Sequence, residues 1–403
     1  MSELISVDDA LALIAKHANA LTAETLAIGD VIGRRSAVSV AAQITNLSYR
    51  ASAMDGYAVH FEDVKDAGQS LTVIGEAPAG APFAGKIGAG ETVRIFTGAI
   101  VPEGSDHVVI QEDVTRNGDL ITINETQAAP GNIRAPGQDF QTGDPLIDAG
   151  EIITPLRAAL IASGNVAEIP VTRRPLVYLF SNGDELRAPG SKDIAPGQVI
   201  SSTPFGLAGL IEQAGGRSLY GGVARDTVES IEAIIDKALS AGANVITPLG
   251  GASVGDYDLV KPAFEKHGFE FVFQKIAVKP GKPTWLAKKG EALALGLPGN
   301  PASAFACALL FLTPLIRQLS GARESDHQFV PAKLAAPMRA NGEREHYLRG
   351  HYEVDQEGTL RVATFTKQDS SLLMPFARAN CLVKRAANAD AAPEGSVVEI
   401  LMI

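Results

Sequence analysis

Residues 174–186 read RPLVYLFSNGDEL, and residues 244–258 read NVITPLGGASVGDYD. In each, an apolar run of strand length ends in a polar loop containing glycine. Between them lie TPFGLAGLIEQAGG (203–216), RSLYGGVARD (217–226) and TVESIEAIIDKALSAG (227–242). The first of these reads as a helix stopped by glycine, the second as a strand and loop, and the third as a helix with apolar residues at helical spacing. Strands alternating with helices of this length predict an α/β domain with a mostly parallel sheet over 174–322. Ligands of such sheets bind beyond the C-terminal ends of the strands. The loops SNGDE, VARD and GGASVGDYD are therefore expected along one edge.

The flanking sequence has a different texture. Residues 43–134 contain LTVIGEAPAG (71–80), ETVRIFTGAIVPEG (91–104), DHVVIQEDVT (106–115) and LITINE (120–125), short β segments separated by Gly and Pro. An inserted β domain is expected there. Residues 7–34 read as one helix and a turn, with Asp8 and Asp9 at the end where the helix dipole favours acids. The run 131–150 reads as connecting loop. Residues 1–42 and 135–173 together form the expected N-terminal helix and extended linker domain. EHYLRGHYEV (345–354), TLRVATF (359–365), CLVKR (381–385) and SVVEILMI (396–403) predict a C-terminal β domain over 323–403.

Composition narrows the function. The chain has 403 residues, 35 Lys plus Arg and 46 Asp plus Glu, for a formal charge of −11. Such an acidic chain is a poor general binder of nucleic acid or anionic membrane, which require clustered positive charge. Its two cysteines, Cys307 and Cys381, exclude a disulfide framework and a four-cysteine zinc site, and the seven scattered histidines form no HxxH or HExxH. The N-terminus lacks the basic start and apolar core of a signal peptide. The apolar run Ala304–Ile316 is shorter than the roughly 20 residues that span a bilayer. A cytoplasmic setting is expected.

Several stretches carry possible chemistry, each with a plainer alternative. In Gly250-Gly251-Ala252-Ser253-Val254-Gly255-Asp256-Tyr257-Asp258, glycines let the backbone approach an oxyanion, and Asp256 and Asp258 suit a hydrated Mg²⁺. The alternative is a tight turn with solvated aspartates. Lys279-Pro280-Gly281-Lys282-Pro283 is either a pre-positioned cationic pair for a phosphate or other tetrahedral oxyanion, or a surface turn. In Gly296-Leu297-Pro298-Gly299-Asn300-Pro301, Asn300 and Pro301 suit a helix N-cap and first position, next to which an anion could also bind. Asp55 in SAMDGYAV (52–59) and the acidic loop Gly183-Asp184-Glu185 are ligand-positioning candidates or simple turns. Cys307 reads as core, and Trp285 as core or the wall of a ring-binding pocket.

SAMDGYAV, the pattern TGAxVPxGxDxVVxxE from Thr97 to Glu112, GDEL, GGASVGDYD, KPGKP and GLPGNPAS occur in that order. The set resembles molybdopterin molybdenumtransferase, the family of MoeA and the gephyrin E domain. The likeness runs from about Leu21 to the C-terminus and includes GEREHYLRG (342–350) and MPFARANCLV (374–383).

The resemblance implies a multidomain α/β plus β protein. Its central domain would be like molybdopterin adenylyltransferase, with an inserted β domain and a C-terminal β-barrel-like domain. It implies a homodimer whose cleft lies between the α/β domain of one subunit and the inserted domain of the other. The implied reaction inserts molybdate into adenylylated molybdopterin, with Mg²⁺-dependent release of AMP. An adenylyltransferase and molybdoenzymes would be its partners.

By motif match, Asp55, Glu185, Asp226 and Lys279 are the implied catalytic residues. Thr97, Asp139, Gly250, Gly251, Ser253, Lys279, Lys282, Pro298 and Pro301 would contact substrate, and Glu185, Asp256 and Asp258 would hold metal. Two stretches depart from the family pattern. Ser201-Ser202-Thr203 stands where the family usually has Asp-Ser/Thr-Asn, and Pro248-Leu249 stands where it has small hydroxyl residues. These departures leave open a divergent, non-catalytic pterin-binding or scaffold protein of the same fold.

Overall fold

A computed structural model describes residues 4–125, 127–251, 259–323 and 327–403. At its centre is a six-stranded sheet in the order Arg217–Ala224, Leu176–Asn182, Val245–Leu249, Ala292–Gly296, Trp285–Lys289, Glu270–Phe273. The first four strands are parallel, and the last two add as antiparallel neighbours. Leu176–Asn182 is apolar on both faces because both are covered, as parallel sheets require. Val177 and Leu179 pack into one core with Leu207, Ile211 and Phe311 from the helices Thr203–Gln213 and Pro301–Leu319. Tyr178 and Phe180 pack into the other with Ile231, Ile235 and Phe264 from Val228–Ser240 and Val260–Lys266. Each such side chain, fully buried, contributes about 1.5–3 kcal/mol relative to exposure.

The strands Leu176–Asn182, Arg217–Ala224 and Val245–Leu249 end at the loops expected to share an edge. Trp285 is fully buried against Phe264 and Phe271, so it is core and lines no ligand pocket. Cys307 is core as expected. The apolar run around it belongs to one longer helix, Pro301–Leu319, with a π-helical stretch at Ala308–Leu312. Its 19 residues pass for a membrane span by length and composition, but 72% of that window is buried inside the α/β core.

The helix Val7–His17 starts with a reciprocal cap, Ser6 Oγ accepting from Asp9 N at 3.0 Å while the Asp9 carboxylate accepts from Ser6 N. Its apolar face, Val7, Ala10 and Ile14, joins the same core as Leu207 and Phe311. The next segment is not a turn alone: Ala23–Ala27 is a strand paired antiparallel with Glu168–Thr172. The stretch 131–150, expected to be loop, contains two short strands, Ile133–Arg134 and Pro145–Ile147.

The inserted sheet runs His107–Ile110, Gly56–Val59, Glu91–Ile95, Ser70–Ala77, Leu120–Ile123, Val114–Asn117. It carries a small core on each face, Ala58, Val93 and Val108 on one and Tyr57, Leu71 and Val109 on the other. The C-terminal sheet closes into a barrel: Glu345–Val354 pairs with Leu360–Thr364 on one side and with Cys381–Arg385 on the other, and Phe329–Leu334 and Val397–Met402 complete the circuit. Closure removes the exposed strand edges that invite aggregation. One further strand joins this sheet from the α/β segment. Val278–Lys279 pairs in parallel with Glu345–His346. The first lysine of the KPGKP loop is thus fixed to the barrel, not to the α/β sheet.

Candidate active site

A cleft of about 640 Å³ opens at the C-terminal edge of the central sheet. The ends of two parallel strands supply Ser181, Asn182, Gly250 and Gly251, and the loop after the first supplies Glu185. Ser201 and Thr203 at the start of a helix, Pro298–Pro301, Pro283 and Ser371 complete the polar walls. Gly250 and Gly251 both have positive φ, 96° and 64°. A Cβ at Gly250 would lie 2.9 Å from Asn182 O, and one at Gly251 would lie 2.2 Å from Val260 Cγ2. The turn therefore presses its main chain against the strand end, where only glycine fits. Ser253, Asp256 and Asp258, which follow, lie outside the described residues.

Asn182 is 9% exposed and donates its amide N–H to Asp226 Oδ1 at 2.7 Å. A carboxylate only accepts, so this bond fixes the amide's orientation. Among the described residues, Asn182 Oδ1 is buried without a hydrogen-bond partner. Asp226 Oδ2 accepts from Asp184 N at 3.2 Å, and Asp226 N reaches Asp184 Oδ1 at 3.4 Å. Asp226 does not line the cleft but braces Asn182, which does. Ser181 and Ser201 share a hydrogen bond of 2.9 Å, and the Tyr220 hydroxyl lies 3.4 Å from both. Ser201 is thus held in a hydroxyl cluster in the cleft wall.

Asn300 sits at the N-cap position, but its side chain makes no capping bond. It donates to Ser370 Oγ at 3.1 Å, while Ser370 O accepts from Ala302 N at 3.0 Å. This seats a barrel loop on the helix start. Arg349, 3% exposed, holds that loop from beneath. Its Nε donates to Gln368 Oε1 at 3.1 Å, and its Nη1 donates to the carbonyls of Asp369 at 2.9 Å and Leu372 at 3.1 Å. The loop presents Ser371 to the cleft.

Lys279 and Lys282 are exposed, and Pro283 of the same loop lines the cleft. Thr284 ties the loop down, donating N–H and hydroxyl to Gly281 O at 3.0 and 2.8 Å. A Cβ at Gly281, whose φ is 120°, would lie 2.1 Å from Cys307 Sγ, so the loop rests directly on the core helix. Lys279 is the cross-strand neighbour of His346. Burial, then the charges of Lys279, Arg344 and Arg349, push the His346 imidazole down to about 4.

Asp55, Thr97 and Asp139 do not line this cleft in their own chain. Thr97 N–H and hydroxyl both donate to Asp55 Oδ1, which holds its carboxyl below the usual range. Asp139 accepts from Asn46 Nδ2 at 3.2 Å and borders a separate hollow of about 490 Å³ with Arg134 and Gln138.

The MoeA N-terminal region (domain I and II) profile matches residues 5–164, the probable molybdopterin binding domain profile matches 179–318, and the MoeA C-terminal region (domain IV) profile matches 331–403. A molybdopterin molybdenumtransferase of Haemophilus influenzae is 35% identical over 89% of each chain. The chain belongs to the molybdopterin molybdenumtransferase family. A Bacillus subtilis protein of that name is 30% identical over 99% of this chain and 94% of its own. A crystal structure of the molybdopterin biosynthesis MoeA protein from Pyrococcus horikoshii is similar throughout, with a TM-score of 0.81, 28% identity and 99% of each chain covered.

Within this molybdenumtransferase fold, Ser181 and Asn182 belong to the SNGDE loop expected at the ligand edge, whereas Ser371 in the cleft wall sits in an unremarkable polar stretch. Only the return of the barrel onto the helix at Pro301 brings Ser371 of the barrel loop to the cleft. Arg344 lay within the quoted GEREHYLRG stretch, but its bond to Val278 O depends on the strand Val278–Lys279 joining the barrel.

Proposed function

We propose that this enzyme inserts molybdate into adenylylated molybdopterin and releases AMP. The carrying observation is the convergence, at one cleft, of the Gly250-Gly251 turn, Glu185, the Pro298–Pro301 wall and the lysine loop entering at Pro283. A phosphorylated pterin and a tetrahedral oxyanion both need close backbone and fixed cations, which a protein of charge −11 offers only locally. Relatives that span nearly the whole chain are transferases, which supports a catalyst and not a scaffold.

Gly250 and Gly251 let a phosphate come close to the main chain, and Ser181, Ser201 and Thr203 offer hydroxyls on the opposite wall. Lys279 and Lys282 carry the molybdate. Water cleaves the phosphoanhydride to give AMP and the pterin monophosphate, and the two dithiolene thiols bond to molybdenum as one molybdate oxygen leaves with their two protons as water.

Magnesium suits the residues present. Glu185 is a carboxylate on the wall, and beside it in sequence the buried Asn182 Oδ1 is an oxygen donor with no partner. Among the described residues no three acidic, cysteine or histidine side chains form a closed metal site. Glu185 and Asn182 would hold magnesium, and bound there it would neutralise charge on the anhydride. Asp226 acts by keeping Asn182 in place.

We further place Asp55 and Thr97 at the cleft of a partner subunit in a homodimer, which accounts for their absence from the cleft of their own chain. The function is tested by reconstitution. Purified protein supplied with adenylylated molybdopterin, molybdate and Mg²⁺ should activate a cofactor-free molybdoenzyme. Failure to activate it, with the apo-enzyme shown to accept ready-made cofactor, would refute the reading.

A further inference from the structure

Three hydroxyls meet in one wall of the cleft, and the strand pattern puts them there. Leu179 and Ser181 are two residues apart on Leu176–Asn182, so their side chains share a face of the sheet. Tyr220, on the neighbouring strand Arg217–Ala224, pairs with Leu179. The register then shifts and Ser181 pairs with Val223, the extra residue falling at Gly221-Gly222, where Gly222 has a φ of 90°. The Tyr220 ring packs on Phe205 of the helix Thr203–Gln213, with centroids 6.1 Å apart. Ser201 comes from the segment that leads into that helix. Its N-cap residue, Ser202, makes no side-chain capping bond, and its first turn holds no acid. The Ser181 and Ser201 oxygens are 2.9 Å apart, and the Tyr220 hydroxyl is 3.4 Å from each. Ser181 and Ser201 are 2% and 6% exposed and both line the cleft, while Tyr220 stands behind them.

Each hydroxyl carries one proton and can also accept. Only the contact between the two serines has the ordinary length of an O–H···O bond, about 2.5–3.0 Å. The contacts to Tyr220 are longer, so no internal bond of full strength uses the protons of Tyr220 and of one serine. Among the described residues, no carbonyl or carboxylate accepts from any of the three hydroxyls. We propose that Tyr220 is a positioning residue for a substrate phosphate: its phenol donates to Ser181, Ser181 donates to Ser201, and the Ser201 proton is directed at a phosphate oxygen in the cleft. This rests on the proposed function and names the group that the hydroxyl wall binds. An anion is favoured because the helix that starts beside Ser201 has an uncapped N-terminus, the positive end of its dipole. An acceptor of negative charge at the end of a hydroxyl chain polarises every bond in one direction. Without the phenol, Ser181 loses its donor, and the Ser201 proton turns back towards Ser181.

A double-mutant cycle tests this. The KM for adenylylated molybdopterin and the Kd for AMP are measured for the wild-type chain, Tyr220→Phe, Ser201→Ala and the double variant. Tyr220→Phe keeps the ring on Phe205, so Tm should not change. Its KM should rise about three- to tenfold with kcat nearly unchanged, and that of Ser201→Ala about tenfold. The double variant should match Ser201→Ala alone, because Tyr220 acts through Ser201. A parallel weakening of AMP identifies the phosphate as the adenylate's, and a KM effect with the AMP Kd unchanged identifies it as the pterin's. Wild-type KM and AMP affinity in Tyr220→Phe, or effects that multiply in the double variant, overturn the positioning role and leave the insertase reading intact. AMP binding that shows the cycle, in a wild-type chain that turns over no substrate, sustains the positioning role and counts against the insertase reading. A wild-type chain that neither binds AMP nor turns over substrate overturns both.

Discussion

Thr97 donates its main-chain N–H and its hydroxyl to the same oxygen of Asp55, each at 2.7 Å. The two residues come from separate motifs and do not line the cleft of their own chain. Both donors favour the charged carboxylate, so Asp55 remains ionised at lower pH than an ordinary aspartate. In Thr97→Val the hydroxyl is lost, and carboxyl NMR should show the Asp55 titration moving up towards the ordinary value. The folded-state value is the depressed one, so its stabilising contribution is full above the ordinary aspartate pKa and disappears as pH falls through the lowered one. Asp55→Asn should reduce turnover on the order of 100-fold or more while the protein remains folded.

Arg349 links the barrel to the cleft. Removing its side chain leaves the carbonyls of Asp369 and Leu372 without their donor and frees the loop that presents Ser371. Arg349→Ala should cost about 2–4 kcal/mol of stability, read from denaturant unfolding. It should also raise KM for the pterin substrate more than it lowers kcat.

Burial pushes both thiols up to about 12, Cys307 within the core helix and Cys381 within the barrel. The thiolate is the reactive form. Neither cysteine should react with iodoacetamide at about pH 8 until the protein unfolds, as followed by mass spectrometry. Gly281→Ala drives a methyl into Cys307 at a backbone angle that disfavours any side chain. It should lower Tm and weaken oxyanion binding together, because the lysine loop is displaced. Lys279→Ala, by contrast, should weaken oxyanion binding with Tm nearly unchanged, since an exposed loop lysine contributes little to folding.

His346 is held at about 4, below the ordinary 6.5 of histidine, chiefly by burial. In anion-free buffer the unfolded chain therefore binds more protons between these values. Stability is full above the ordinary value and falls as pH drops towards about 4, by at most about 3 kcal/mol from this group. His346→Gln should remove that part of the acid sensitivity in denaturant unfolding measured at successive pH values.

The central sheet was legible because its strands announce themselves twice, as apolar runs buried on both faces and as glycine loops at one edge. Leu176–Asn182 and Val245–Leu249 show both signals. The strand Ala23–Ala27 was not legible, because its half-buried alternation over five residues is too short to distinguish from the end of a helix and a turn. Val278–Lys279 was placed with the α/β segment by chain order, but two residues pairing with a distant strand leave no local pattern.

The same division holds at the site. Glu185, Gly250 and Gly251 follow directly from the strand ends. Asn182 also lies at a strand end, though its bracing by Asp226 is tertiary, and Ser371 reaches the cleft only through the barrel loop that Arg349 holds. Asn300 was read correctly as a cap position, but its side chain bonds to the barrel and not to its own helix.

The most direct measurement is AMP release from adenylylated molybdopterin by the purified protein with Mg²⁺, with molybdate present or omitted. The account predicts AMP formation that depends on molybdate, and a loss of that dependence at moderate molybdate in the double variant Lys279→Ala, Lys282→Ala. No release by the wild-type chain at saturating molybdate, or release that the double variant supports equally well, would contradict it.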